Sequence, residues 1–297
     1  MQKIGLVILN YNNCAETSKL LSSVIHFDSL YHIVIVDNKS TDSSFENLLK
    51  HRDAKVSVIS TKVNHGYGSG NNVGAKFLIC NFEVEYVMIA NPDVSFDNSV
   101  VKRLSNFLES SNLKIGTIAP TMKNSSGKVV QSTWKLPTWF DDLINSSLLL
   151  KGALNMFKPR SRYKFPNDQK YRKVDVVTGS LFMIKSAVFK KVDFFDERTF
   201  LYDEENILAI KLKKSGYENI QMLDCYFQHS KSTTISKEKN LVDQYKYYFQ
   251  SMMIYHTYYA DTNKLELQLL GFFLKLSIIE KKIILFIDGM RRNKLDE

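Results

Sequence analysis

Three apolar runs in this chain stop at polar loops, and two of those loops carry a carboxylate where chemistry would sit. Tyr86-Val87-Met88-Ile89-Ala90 is closed by Asn91-Pro92-Asp93, residues 32–36 by Asp37-Asn38-Lys39-Ser40-Thr41-Asp42, and residues 4–9 by Asn10-Tyr11-Asn12-Asn13. Short apolar runs between polar segments read as strands buried on both faces. Pro92 lacks an N–H and biases Asn91 towards an extended backbone, so the strand stops there and Asp93 lies just past its carboxyl end. Ligands of open α/β sheets bind at that edge. A lone carboxylate at a strand end is ordinarily a turn residue or a helix cap. Here Asp37 and Asp93 are joined by Asn64-His65-Gly66-Tyr67-Gly68-Ser69-Gly70-Asn71-Asn72-Val73-Gly74, which follows a third strand at 56–60. Glycines at 66, 68, 70 and 74 would let the backbone approach a ligand before a helix begins near Val73. A nucleotide fits such an edge.

A second acidic group lies later. Phe194 to Asn206 contains Asp196, Glu197, Asp203, Glu204 and Glu205 among four aromatics. Ile207, Ile210 and Leu212 alternate with lysines as an amphipathic helix ending at Gly216, so Asp203, Glu204 and Glu205 sit at its N-terminus. Compensation of the helix dipole, about 0.3–1 kcal/mol each, accounts for one or two of them; three adjacent like charges repel. His229 follows a short strand at 221–227, and a lone histidine is more often structural than a ligand.

The elements that must position these residues alternate strand and helix over about the first hundred positions. That pattern predicts a mostly parallel sheet with right-handed crossovers, which brings Asp37, the glycine loop and Asp93 to one edge. A helix is expected at 100–108, a strand at 115–120, and a hairpin arm at 129–133 after the turn at 123–128. Residues 135–172, with Trp139, three prolines and Lys158, Arg160, Arg162 and Lys164, read as a long basic loop with short helices, a lid or a solvated insert. Residues 174–177 read as a strand continued, after Thr178-Gly179-Ser180, by an extended run at 181–184. The 297 residues suit one large domain, or one plus an appendage, and 44% apolar and 24% charged residues are globular proportions. A net charge of +9 suits nucleic acid, an anionic membrane surface or a phosphorylated substrate. Cys14, Cys80 and Cys225 are too dispersed for a metal site and read as reduced thiols of a cytoplasmic protein. Neither a signal peptide nor a transmembrane helix is expected.

Gly66, Gly68 and Gly70 follow the third strand rather than the first, and no Walker sequence occurs, so the dinucleotide and P-loop readings are set aside. Taken in order, the residues resemble the family 2 glycosyltransferases of GT-A fold, particularly rhamnosyltransferase-like bacterial members. Ile8-Leu9-Asn10-Tyr11-Asn12 is similar to the family's first-strand signature. The segment from Asp37 through Ser40 resembles its base-binding Asp motif, and Asn64-His65-Gly66-Tyr67-Gly68 with Asn72 and Gly74 its Asn-x-Gly-aromatic loop. Asn91-Pro92-Asp93 stands at its Asp-x-Asp motif with Asn for the first acid. Gly179-Ser180 resembles the acceptor-side Gly motif, Tyr202 to Glu205 the segment whose second acid is the base, and His229 a late metal-completing histidine.

The resemblance implies a GT-A sheet flanked by helices over 1–236, with a nucleotide half to about 120 and an acceptor half beyond. It implies a metal-dependent, inverting transferase that takes a UDP- or dTDP-linked donor, dTDP-rhamnose among the candidates, in bacterial surface polysaccharide synthesis. Asn10, Tyr11, Asn12, Asp37, Ser40, Asn64, Gly66, Tyr67, Asn72, Asn91 and Asp93 would bind the donor. Gly179, Ser180 and Tyr202 would bind a glycan or lipid-linked acceptor. Asp93 and His229 would hold Mn²⁺ or Mg²⁺, and Glu205 would be the base, with Glu204 its rival. A nucleotidyltransferase on a related fold would carry a basic phosphate loop after the first strand, which Asn10 to Asn13 lacks. A non-catalytic nucleic-acid binder would need clustered cations with stacking aromatics, whereas these strand ends are acidic.

Beyond Lys237 the character changes to a helical segment, 237–297. Residues 245–259 hold seven aromatics, and 265–287 are strongly apolar with Glu266, Lys275, Glu280, Lys281 and Lys282 interspersed. With the basic Arg291-Arg292-Asn293-Lys294 following, this segment suits peripheral contact with an anionic inner membrane face, or packing on the catalytic domain or a second subunit.

Overall fold

The computed structural model describes residues 2–147, 150, 152, 169–230 and 241–293, with side chains of the last helix described as far as Ile284. Lys158, Arg160, Arg162 and Lys164 of the basic loop lie outside the described residues. The elements run β1 (Ile4–Asn10), α1 (Cys14–Val24), β2 (His32–Asp37), α2 (Ser44–Leu49), β3 (Val56–Ser60), α3 (Tyr67–Phe82), β4 (Tyr86–Ala90), β5 (Val94–Ser95), α4 (Asn98–Ser110) and β6 (Ile115–Lys123). They continue with β7 (Thr133–Trp134), α5 (Trp139–Ser146), β8 (Tyr171–Val174), β9 (Val176–Val177), β10 (Leu181–Lys185), α6 (Ser186–Lys191), α7 (Glu204–Lys214), β11 (Glu218–His229), α8 (Leu241–Tyr258) and α9 (Lys264–Asn293).

The main sheet has the order β3-β2-β1-β4-β10-β6-β11-β5, with β8 on β11. The first four strands are parallel. Asn10 is level with Asp37 and Ile8 with Ala90, so their carboxyl ends share one edge. Because β10 runs antiparallel to β4, with Leu181 level with Ala90, its first residues reach the same edge. Alternate side chains of the strands feed two cores. Leu6 and Ile8 pack with α1 and α4 on one face, and Val7, Val34 and Val36 with α3 on the other. Burial on both faces is why these strands are continuously apolar.

Helix α3 begins at Tyr67, six residues before the expected start, so Gly68, Gly70 and Gly74 are helical rather than loop residues. They serve close packing. A Cβ on Gly74 would lie 2.5 Å from Val7 Cγ1 and 2.9 Å from Val36 Cγ2, and one on Gly70 2.5 Å from Leu9 Cδ1. Gly74→Ala is therefore expected to destabilise the fold by about 1–3 kcal/mol, because two β-branched strand residues cannot yield. That exceeds the gain of about 1 kcal/mol in helix propensity; a lower denaturant midpoint at unchanged slope is the expected reading.

Other expectations are corrected in detail. Residues 174–177 are two strands, β8 on β11 and β9 on β7, broken at Asp175. There Asp175 accepts hydrogen bonds from Leu136 N (3.2 Å) and, through its carbonyl, from Asn219 Nδ2 (2.7 Å). The arm at 129–133 makes a single bridge, Lys123 with Val129, and Thr133 pairs with β9 instead. β11 runs through to His229, which therefore belongs to the strand.

The C-terminal helices fold back onto the rest. Tyr255 packs with Ile207 and Ile210 of α7, and its hydroxyl donates to Pro137 O. His256 and Asp142 form a fully buried pair at 3.0 Å between α8 and α5. Among the described residues no helix is long and apolar enough to cross a membrane.

Candidate functional site

The loops after β1 and β2 are laced through Asp37. Its Oδ2 accepts from Asn10 Nδ2 (2.9 Å) and Ser40 Oγ (2.6 Å), and its Oδ1 from Ser40 N (3.0 Å). Ser40 Oγ also accepts from Asn12 N at 2.9 Å, while Asn12 exchanges two bonds with Thr41. Left-handed backbone at Asn12 (φ 49°) and Lys39 (φ 61°) turns both loops inward. Asn10 and Asp37 are buried, and Tyr11 is half-buried beside them. Asn38 was not singled out by the sequence reading, although it directly follows Asp37. It donates to Asn64 Oδ1 and Gly66 O, both at 3.0 Å, and ties the third loop to the second.

Gly66 is required where it stands. At φ 97° a Cβ would lie 1.9 Å from Phe200 O, and the next residue, Tyr67, donates its N–H to that carbonyl at 3.0 Å. The glycine loop thus docks on the acidic segment. Asn72 clamps the same segment: its amide donates to Phe195 O and Glu197 Oε1 and accepts from Phe195 N. Both of its amide hydrogens are engaged there, so Asn72 holds the glycine loop against the acidic segment.

The second half of the site forms where β4, β10 and β11 meet. Asn91 N donates to Ser180 O (2.9 Å). Asp93 is buried, and His229 Nε2 stands 3.2 Å from its Oδ1 and 3.1 Å from its Oδ2. The bond is directed at Oδ1, leaving Oδ2 buried without a hydrogen bond. The pairing arises because β11 lies antiparallel to β5, with His229 level with Val94. Among the described residues no group of three or more His, Cys, Asp or Glu surrounds this point.

Opposite, Gly179 N donates to Glu205 Oε1 at 3.0 Å, and Gly179 O accepts from Tyr67 Oη at 2.7 Å. Gly179 permits the approach, since a Cβ would lie 2.7 Å from Glu205 Oε1. Burial, then Glu205 and Glu204, hold the Tyr67 phenol well above its usual range, so it remains a donor. Glu204 points elsewhere than its neighbour. It is buried against Gly68 of α3, its Oε1 makes no hydrogen bond, and burial followed by repulsion from Glu205 and Asp203 raises it well above the usual carboxylate range. Tyr202 (φ 73°) and Asp203 (φ 60°) enter the helix in left-handed backbone, which costs about 1–3 kcal/mol each and fixes where the acids emerge. Tyr202 meets Tyr248 of α8 edge to face at 5.7 Å.

The fold is of the GT-A type: the structure of Staphylococcus aureus TarS 1–349 in complex with UDP-GlcNAc superposes with a TM-score of 0.55 at 20% identity, covering 92% of this chain and 72% of that one. The family model for glycosyl transferase family 2 matches residues 6–193, and the chain belongs to that family. A curated relative is the low-salt glycan biosynthesis hexosyltransferase Agl10 of Haloferax volcanii, 27% identical over 76% of this chain and 65% of its own length. Another is the N-acetylglucosaminyl-diphospho-decaprenol L-rhamnosyltransferase of Mycobacterium tuberculosis, 24% identical over 79% of this chain and 78% of its own.

Proposed function

We propose that the chain is a metal-dependent, inverting glycosyltransferase that moves a sugar from a UDP- or dTDP-linked donor to a glycan or lipid-linked acceptor in bacterial surface polysaccharide synthesis. The observation that carries the reading is that two groups lie at one sheet edge, joined through the Gly179-Ser180 turn: Asp93 with His229, beside Asn91 whose N–H donates to Ser180 O, and Glu205, which accepts from Gly179 N. The similarity to the mycobacterial rhamnosyltransferase supports rhamnose as a candidate sugar and a lipid-linked acceptor.

The strand ends carrying Asp37 and Asp93 are two strand spacings apart, roughly 10 Å, a distance that suits a nucleoside at one end and a diphosphate at the other. Asp37 accepts three hydrogen bonds and keeps capacity for a base N–H. A divalent cation fits the second position: the buried Asp93 Oδ2 lacks a hydrogen bond, and a carboxylate with an imidazole suits Mn²⁺ better than Mg²⁺. Asp93 and His229 would hold it, and as a Lewis acid it would neutralise charge on the departing diphosphate. Two protein donors are few, so donor phosphates would complete the set. Glu205 takes the proton of the acceptor hydroxyl, and Gly179 N–H fixes the carboxylate while it does so. A single base, with no second carboxylate as nucleophile, gives inversion. Tyr202, backed by Tyr248, forms an aromatic wall beside the acceptor.

Incubation with a panel of nucleotide sugars and Mn²⁺, scored by donor hydrolysis, tests the reading; no turnover of any donor would reject it. Asp37→Ala is expected to weaken binding of the free nucleoside without metal by about tenfold or more, since a hydrogen bond to a charged group is worth about 1.5–3 kcal/mol. Unchanged nucleoside affinity in calorimetry would remove Asp37 from the site.

A further inference from the structure

Helix α9 is apolar on two faces. Its inner face, with Leu270, Leu274 and Ser277, is buried against α5 and α8. Its outer face carries Leu265, Leu269, Phe272, Leu276, Ile279 and Ile283, each between 39% and 65% exposed, and no described residue covers them. Their spacings are 4, 3, 4, 3 and 4, the a/d alternation of a heptad with Leu269, Leu276 and Ile283 at a. In the sequence the same spacing runs on to Phe286 and Met290, within the helix. At 100° per residue the six fall within an arc of about 80°, the narrow seam of a coiled coil rather than the wider stripe of a helix lying on lipid.

The flanks say which partner and which direction. Positions preceding a carry Gln268, Lys275 and Lys282; positions following d carry Glu266, Phe273 and Glu280. One shoulder is therefore basic and the other carries acids. In a parallel pair the basic shoulder of each helix meets the opposite shoulder of the other, which carries Phe273 and a Glu280 with one carboxylate oxygen buried in its own protomer, so that lysine does not face lysine. An antiparallel pair would set lysine against lysine.

We propose that the outer face of α9 is a homodimer interface, a parallel two-stranded coiled coil with α9 of a second copy of this chain. The inner face stays on its own catalytic unit, so dimerisation needs no refolding.

Sedimentation equilibrium of the full chain in lipid-free buffer is expected to give about twice 34.3 kDa. Leu276→Glu places two like charges in the seam and is expected to give a folded monomer, because Leu276 is exposed within the protomer, with a melting temperature that no longer rises with protein concentration as the dimer's does. Direction is read from single cysteines in a Cys80→Ser background. Leu269→Cys and Ile283→Cys should each cross-link under oxidation, whereas in an antiparallel pair at least one would stand far from its counterpart, the sites being about 21 Å apart along the helix. A wild-type monomer at tens of micromolar overturns the proposal, as does a dimer that survives Leu276→Glu or fails to cross-link at both sites. A monomer that co-sediments with phosphatidylglycerol vesicles, and loses that binding in Leu276→Glu, assigns the face to lipid instead.

Discussion

Asp93→Ala is expected to abolish the metal-dependent part of donor binding. In the native fold the Asp93 carboxylate is buried, one oxygen engaged by His229 and the other without a hydrogen bond. A buried carboxylate oxygen left in that state is unfavourable unless a ligand completes it. The diphosphate is dianionic or more, and without a bridging cation it would face this carboxylate directly. Removing the carboxylate removes a direct ligand, so the loss should exceed the roughly 10–100-fold that follows from losing an outer-shell partner. Titration calorimetry with UDP or dTDP, with and without Mn²⁺, separates the parts: the variant should bind as the wild type does without metal. The fold should survive, because the sheet register on either side of Asp93 is set by backbone pairing. Wild-type affinity with Mn²⁺ would remove Asp93 from the metal position. Since His229 and Asp93 supply only two donors, Mn²⁺ is also expected to bind weakly until nucleotide is present.

The strand ends were legible because their signals are local. Five apolar residues closed by Asn91-Pro92-Asp93 leave little choice about where β4 stops, and β2 ends at Asp37 for the same reason. The glycines were legible as close approaches but not as approaches to what. A glycine records only that a Cβ would not fit, and Gly70 and Gly74 turn out to meet Leu9, Val7 and Val36 of the sheet. The bonds of Asn72 to Phe195 and Glu197 were hidden for a related reason, since an amide beside a glycine loop suits a ligand and a neighbouring backbone equally well. His229 carried no local signal of its partner. Its contact with Asp93 spans 136 positions and exists through the antiparallel pairing of a two-residue strand that no pattern announces. The break at Asp175 was hidden in the same way: three valines around one aspartate give no notice that the first and last pair with different sheets.

The two acids at the start of α7 illustrate what side-chain placement adds. In sequence they are equivalent neighbours. In the fold Glu204 is enclosed against Gly68 and raised well above the usual carboxylate range, first by burial, whereas Glu205 reaches the Gly179 N–H. Adjacent helical positions diverge by about 100°, so Glu204 lies against Gly68 of α3 while Glu205 lies against Gly179. The placement of the buried Glu204 against Gly68 shows no path to an acceptor hydroxyl, whereas Glu205 is held in position by a backbone donor.

Glu205→Gln is therefore expected to lower turnover by about 10²–10⁴-fold at saturating donor and acceptor, with donor affinity near that of the wild type. Gln keeps the length and still accepts from Gly179 N, so geometry is retained and only proton acceptance is lost. Glu204→Gln replaces a buried carboxyl whose charging is disfavoured with an amide of the same shape and should change turnover far less, its effect falling on the acceptor Michaelis constant. It carries a second, independent reading. A carboxyl whose folded pKa is raised contributes stability at low pH that is lost as pH rises through that pKa, so Glu204→Gln should hold its melting temperature on the alkaline side better than the wild type. Steady-state kinetics of both variants, with melts across pH, decide between the neighbours. An inactive Glu204→Gln beside an active Glu205→Gln would move the base by one residue. Activity in both would move the base elsewhere, with Asp196 and Asp203 the next residues to replace; burial opposes charge on Asp196, but its bonds with Arg198 outweigh that and hold it at about 2.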